Sequence, residues 1–295
     1  MTANIATLII YAYTSFAASW GPGPAIIKEF KKTCACEVKI ADLGDTGGLL
    51  NRLKLEGSKT KADIVIGLDQ NTLEKVFKIG SDWNSKPVEF DYGPFAFVYD
   101  SKIVTHPPKT LDDLLEPQWR GQILLEDPRL SSTGLGFLLW VIKEKGESHA
   151  WEYLLKLKPQ IKLITPSWDL AYGLFKKNQG QLVFSYWTSP VYHIQEENRH
   201  DIKASPFING NYLQKEYIMA SSRPKNESLK RKFFEFMMSD FAQNLLAEKN
   251  FMYPVKKIKL PKAFDEIGTV KELPPLSPTT DQIEQWVKRW REIFS

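Results

Sequence analysis

Residues 182–193, LVFSYWTSPVYH, decide how the rest of the chain is read. Leu182, Val183 and Phe184 form a short apolar run after the Gly180 turn, as a buried strand requires. The run gives way to Ser185, Tyr186, Trp187, Thr188 and Ser189, and then to Pro190. Ser189 before Pro190 predicts a helix N-cap with proline at the first helical position. Tyr186, Trp187 and Tyr192, with the hydroxyls of Ser185, Thr188 and Ser189, therefore gather where a strand hands over to a helix. Ligands of α/β sheets bind beyond the strand C-termini, where helix N-termini offer unpaired N–H groups. Any one of these rings is compatible with core packing. Interleaved with hydroxyls, the group points to a binding surface.

On either side of this stretch, strands and helices alternate. Residues 6–12 are β-branched and aromatic and lead into Tyr13. After the Gly21-Pro22-Gly23-Pro24 punctuation, 25–32 is helical and 37–41 is a second strand. A loop at 42–48 carries Asp45 and Thr46. Residues 49–56 form an amphipathic helix, 63–68 (DIVIGL) a buried strand and 71–78 a helix. This order predicts a mainly parallel sheet. The long aromatic strand 90–100 suits a crossover between lobes. Thr110 is expected to cap a short helix over 110–116. Strand 122–126 runs into Asp127 to Gly134, with helices following over 135–144 and 150–157. Residues 162–165 read as a strand, and Ser167-Trp168-Asp169 opens a helix reaching about 177. Residues 211–219 return to the first lobe, 227–238 form a helix, and the Pro-rich tail ends in a Trp-bearing helix over 280–293.

The chain of 295 residues has room for two lobes or one large domain. Its 43% hydrophobic and 25% charged content is that of an ordinary globular protein. Nine Trp and eleven Tyr supply rings beyond core needs. The net charge of +4 is small and its basic residues scattered, so no nucleic-acid footprint is present. No stretch reaches the ~18 apolar residues of a spanning helix. No secretory signal is visible, because 7–12 already reads as the first strand. Residues 1–5 fit a start placed on a mature exported chain or the native start of a cytosolic one. Cys34-Ala35-Cys36 are too few ligands for a zinc site. The pair reads either as a disulfide or as two free thiols at a helix-to-strand junction.

Other candidate chemistry also lies at loop-to-helix junctions. Ser131, Ser132 and Thr133 precede Gly134 where a helix opens, which suits a phosphate or another anion. The spacing is not that of a nucleotide P-loop. Asp45 can accept from an amino group or offset a cation. Tyr13 and Trp168 extend the aromatic set toward a cage for a flat or cationic ring. No catalytic residue is expected. His106, His149, His193 and His200 are isolated, HExxH and GxSxG are absent, and no metal site is expected.

Several segments carry a resemblance. They are YAYTSFAASWGPGP (11–24), LLNRLKLEG (49–57), KADIVIGLD (61–69), FDYGPFAFVYD (90–100), EDPRLSSTGLGFLLW (126–140), AYGLF (171–175), VFSYWTSPVYH (183–193) and NFMYPV (250–255). In order and spacing, from about residue 7 to 290, the chain resembles the periplasmic thiamine-binding proteins of bacterial ABC transporters.

The resemblance implies a type II solute-binding fold: two α/β lobes joined by two crossovers, with ligand in the interlobe cleft. Lobe 1 would hold 1–97 and about 217–270, lobe 2 98–216, with 271–295 packing across or beside the lobes. It implies a disulfide at Cys34 and Cys36. Asp45, beside Thr46, would meet the polar edge of the ligand, and Ser131 and Ser132 its phosphate. Trp168 and Tyr192 would sandwich its rings. Tyr186, Trp187, Thr188 and Ser189 would line the same segment, with Tyr13 on another wall. Thiamine, thiamine monophosphate and thiamine diphosphate are the implied ligands, a membrane permease the implied partner, and no cofactor is called for. The location implied is periplasmic, as a mature form without its signal peptide. Trp187 stands where relatives more often carry a small hydroxyl residue, Thr14 where an acid is usual, and Thr46 where a glycine is. The segment 80–88 is shorter. Two rivals are an enzyme on the same architecture, resembling thiaminase I with its pocket cysteine, and a binding protein for another ligand such as ferric iron.

Overall fold

A computed structural model describes residues 5–295. The reading of the first residues as an exported or cytosolic start falls largely on 1–4, outside the described part. In chain order the elements begin with β1 (Ala6–Ala12), α1 (Thr14–Ala17), α2 (Gly23–Thr33) and β2 (Cys36–Asp42). Then come α3 (Thr46–Glu56), β3 (Ile64–Asp69), α4 (Leu73–Phe77) and the long β4 (Val88–Asp100). β5 (Ile123–Glu126), α5 (Ser132–Lys145), α6 (Glu147–Leu157), β6 (Ile161–Thr165), α7 (Trp168–Lys176) and β7 (Leu182–Tyr186) follow. Next are α8 (Ser189–Glu197), β8 (Ile202–Ala204), β9 (Asn211–Ala220), α9 (Glu227–Met237), α10 (Asp240–Leu245) and β10 (Tyr253–Pro254). The chain closes with α11 (Ala263–Ile267), β11 (Glu272–Leu273) and α12 (Thr280–Phe294).

Two compact units result. Unit 1 runs to Tyr92 and resumes over Lys215–Pro261; unit 2 holds Gly93–Gln214 and Lys262–Ser295. The chain passes between them within β4 and β9. These boundaries fall a few residues before those read from sequence, and residues 262–270 lie with unit 2 rather than with the first lobe.

Within unit 1, β1 pairs in parallel with both β2 and β3, and β9 runs antiparallel on the far side of β3. Side chains of a strand alternate between faces, so one face gathers Leu8, Ile10, Ile64 and Ile66. These pack with Phe30 of α2 and Phe233 of α9. The other face gathers Tyr11, Val65 and Leu68 against Leu49 and Leu53 of α3. Both faces are covered, which is why 64–68 is apolar without alternation. Cys34 and Cys36 form a disulfide between α2 and β2.

Unit 2 repeats the plan. β5 pairs in parallel with β6 and β7, and β4 runs antiparallel on the far side of β7. Its core is aromatic. The Phe184 ring meets Phe95, Phe97 and Phe137 at centroid distances of 4.9, 5.3 and 5.2 Å. α12 belongs here: Trp290 meets Phe137 edge-on at 6.3 Å.

Three local expectations are corrected. Ser189 is the first residue of α8 and Thr188 its N-cap, without a side-chain cap bond. The Ser189 hydroxyl bonds instead to the Ser185 hydroxyl at 2.7 Å and accepts from the Tyr186 N–H at 3.2 Å. Residues 110–116 make only a 3-10 turn over Asp112–Leu115, because Pro117 follows at once. α5 begins at Ser132, three residues earlier than read, with Ser131 as its N-cap.

Candidate ligand-binding site

In each unit the three parallel strands end on one edge, and most candidate residues leave from those ends. In unit 2, Glu126 of β5 pairs with Thr165 of β6, and the Asp127 N–H donates to the Thr165 carbonyl at 2.8 Å. The loops carrying Ser131 and Trp168 therefore start side by side. Ser131 is buried and its hydroxyl lies 2.7 Å from that of Thr133. Ser132 is half-buried. A Cβ on Gly134 would come 2.5 Å from the Glu126 carbonyl, so only glycine lets α5 start this close to the end of β5. Hydroxyls and N-terminal N–H groups at such a start favour an anion. The Arg129 guanidinium is tied to Asp127, with Nε 2.9 Å from both carboxylate oxygens.

Trp168 opens α7, half-buried. Its indole N–H donates to the Ser185 hydroxyl at 2.8 Å, and its ring stacks on Tyr172 at 5.2 Å with planes 23° apart. Tyr186 lies 6.3 Å away, tilted by 56°. The Tyr186 ring stacks on Phe95 at 5.1 Å and its hydroxyl accepts from the Gln214 amide at 2.9 Å. Trp187 is buried: its indole N–H donates to the Gly268 carbonyl at 3.2 Å and its backbone N–H to Pro94 at 2.8 Å. The Thr188 hydroxyl is buried and has no hydrogen-bond partner among the described residues. Tyr192, on α8, carries the Lys176 ammonium 4.3 Å above its ring centre and accepts from it through the hydroxyl. Lys176 also reaches Glu197 at 2.9 Å. Trp168, Ser185, Tyr186 and Ser189 thus form one contact network.

In unit 1, Tyr13 leaves the end of β1. Its hydroxyl donates to Glu216 at 2.8 Å and accepts from the Asn250 amide at 2.9 Å. Burial, with the nearby Glu216 and Asp91 carboxyl groups, pushes its pKa well above the usual range, so it stays a proton donor. Its ring lies over Gly67, whose φ is +98° and where a Cβ would come 1.9 Å from the ring. Asp45 is the N-cap of α3 and accepts from the Thr46 N–H at 2.7 Å. The Thr46 hydroxyl donates to the Gly67 carbonyl at 2.8 Å. Tyr13 and Thr46 therefore meet on one glycine of β3. The Thr14 hydroxyl donates to Asp42 at 2.8 Å, a partner that an acidic residue there would repel.

The sequence reading missed Tyr172, Lys176, Glu216 and Asn250. Tyr172 was accessible, since it stands four residues after Trp168 on one helix face. Asn250 ends a π-helical turn, Leu246–Asn250, and Phe251 follows in the left-handed region at φ +54°. A bulky residue pays strain there, and such strain collects at functional sites.

Two units of like strand order, with candidate side chains at their strand ends, define a solute-binding architecture. The chain belongs to the bacterial extracellular solute-binding proteins, whose family model matches residues 58–273. It is 41% identical to the thiamine-binding periplasmic protein of Salmonella typhimurium (strain LT2), over 98% of this chain and 93% of that one. It is 40% identical to that of Escherichia coli (strain K12), with the same coverage. Among solved structures, a periplasmic thiamin binding protein superposes with a TM-score of 0.91 at 38% identity, over 100% of this chain and 98% of that one. A ferric binding protein from Campylobacter jejuni shares the fold, with a TM-score of 0.78 at 18% identity.

Proposed function

We propose that this protein is the substrate-binding subunit of an ABC importer, capturing thiamine and its phosphates in the periplasm and delivering them to a membrane permease. The observation that carries the reading is the Trp168 indole, pinned by Ser185 and backed by Tyr172, at the strand ends of a chain akin to thiamine-binding periplasmic proteins. A fixed, half-buried indole suits a flat cationic ring such as thiazolium, each ring contact contributing ~0.5–2 kcal/mol. Ser131 and Ser132, at the start of α5, are the phosphate ligands in this reading. Tyr192 gives a second ring, Tyr186, Trp187, Thr188 and Ser189 line the pocket segment, and Tyr13, Asp45 and Thr46 are the ligand-contact candidates within unit 1. The relatives carry the names of binding proteins, not of enzymes. A thiaminase-like role also lacks its nucleophile, because Cys34 and Cys36 are joined to each other.

The test is a tryptophan-fluorescence titration of ligand-stripped protein with thiamine, thiamine monophosphate and thiamine diphosphate, with recovery of intact ligand. Saturation below micromolar supports the reading; no response to any of the three removes it. Trp168→Ala is expected to weaken thiamine by more than about tenfold. Ser131→Ala with Ser132→Ala is expected to hurt the phosphates more than free thiamine; equal losses take the phosphate away from this loop.

A further inference from the structure

Behind Trp168 lies a chain of polar contacts that packing alone does not require. His193, on α8, has a side chain only 1% exposed. Its Nδ1 is 2.6 Å from the Glu197 carboxylate, one turn further along the helix. Its Nε2 is 3.0 Å from the Tyr172 hydroxyl, and Tyr172 carries the Trp168 ring. A leucine would fill the same space without a buried imidazole to desolvate.

The proton positions follow from the partners. A carboxylate only accepts, so Nδ1 carries the hydrogen. The neutral imidazole then has its lone pair on Nε2, and the Tyr172 hydroxyl must donate to it. Glu197 is ionised throughout the working range: burial raises its pKa, but hydrogen bonds from Lys176, His193 and Tyr192 outweigh this and hold it at about 2. One hydrogen-bond direction therefore runs from Tyr172 through His193 to Glu197 and fixes the Tyr172 ring from behind.

We propose that Tyr172, His193 and Glu197 are positioning residues for ligand binding, setting the plane of Trp168 through the Tyr172 ring. This rests on Trp168 being a wall of the ligand site. Protonation of His193 puts a hydrogen on Nε2, so the Tyr172 hydroxyl must accept there and turn its own hydrogen to the longer contact with the Ser189 carbonyl at 3.5 Å, and acid thereby loosens the stack. Burial holds the imidazole below its ordinary pKa, with Glu197 opposing and Lys176 and Arg199 assisting. The neutral form therefore persists at neutral pH, and the loss sets in only on the acid side of the ordinary imidazole range.

Other groups about α8 are accounted for. Tyr192 lies edge-on to His193 at 5.0 Å. Lys176 of α7 is paired with Glu197 at 2.9 Å. Arg199 is paired with Asp100 at 2.9 Å and Asp201 at 2.5 Å. α11 carries Asp265 and Glu266, the latter on His200 at 2.7 Å, and β8 carries Lys203.

The experiment is calorimetric titration with thiamine from pH 5.5 to 8, on the full chain and on Tyr172→Phe, His193→Leu, His193→Gln and Trp168→Ala. Tyr172→Phe and His193→Leu should weaken binding about three- to tenfold at pH 7.5. His193→Gln, whose amide supplies one donor and one acceptor, should keep near-native affinity and lose the acid-side weakening of the native chain. The ligand's own titration is common to both and cancels. Should His193→Leu not fold, Tyr172→Phe and His193→Gln decide the matter. Native affinity and pH profile in Tyr172→Phe and His193→Gln, with Trp168→Ala weakened, would overturn the proposal alone. Native affinity in Trp168→Ala would overturn the reading on which it rests.

Discussion

Asp69, at the end of β3, shows how one residue sets a pH response. It is 1% exposed, its Oδ1 accepts from the Asn71 N–H at 2.6 Å, and its Oδ2 has no hydrogen-bond partner among the described residues. Burial pushes its pKa up to about 6, against the opposing pull of Asn71, Lys75 and Thr72. The folded value lies above the ordinary one of 3.8, so the unfolded chain releases this proton first. Its contribution to stability is complete below about pH 4 and is lost as pH rises through 6. Asp69→Asn keeps the Oδ1 acceptor and removes the charge. Urea unfolding of both proteins at pH 4 and pH 7 should show the variant gaining on the native chain by on the order of 1–3 kcal/mol between the two; an unchanged difference would mean that Asp69 stays solvated. At this scale the sequence was half legible. Asp45 could be picked out as a polar residue in a glycine-bearing loop, whereas the groups that hold Tyr13 stand 203 and 237 positions away, at Glu216 and Asn250. No local pattern records such a pairing.

Among the elements, α5 joins packing to the anion-suited loop. Its residues from Thr133 to Ile142 are all buried, because the sheet lies on one side and α6 and α12 are nearby. Phe137 meets both Phe184 and Trp290, and Trp140 meets Phe207 at 4.7 Å. A helix buried all round has no amphipathic period, and its start was read three residues late for that reason. β1, a β-branched and aromatic run, was read to both of its ends. Gly134 and Gly136 separate the two roles of α5. A Cβ on Gly134 would press on the backbone of Glu126 and Asp127; one on Gly136 would press on the Phe95 ring at 2.1 Å. Each alanine variant should lose about 1–3 kcal/mol in urea unfolding. Only Gly134→Ala displaces the Ser131–Ser132 start, so it should weaken thiamine monophosphate more than Gly136→Ala does. Matching losses in both variants would place the loop outside the phosphate site.

For the whole molecule, each unit has three parallel strands and one antiparallel strand through which the chain passes. The βαβ order and the two crossing strands were visible in sequence, since buried parallel strands are apolar runs joined by helices. The placement of the tail was not, because an amphipathic helix announces a buried face but not what covers it. α12 starts with a capping box between Thr279 and Gln282 and buries Ile283, Trp286 and Trp290. Its contacts lie in unit 2: Trp290 with Phe137, Arg289 over the Trp151 ring at 4.8 Å, and Lys158 donating to the Ile293 carbonyl at 2.6 Å. Truncating a buried tryptophan to alanine costs about 3–5 kcal/mol through lost contacts and the cavity left behind. Because each unit has its own core, that loss is confined to one of them. Hydrogen exchange of Trp290→Ala should therefore show lowered protection in β5, α5 and β7, with β1 and β3 protected as in the native chain. Equal loss in both sets of strands would mean that the two cores open together, and the tail would then be a fastening of the entire chain.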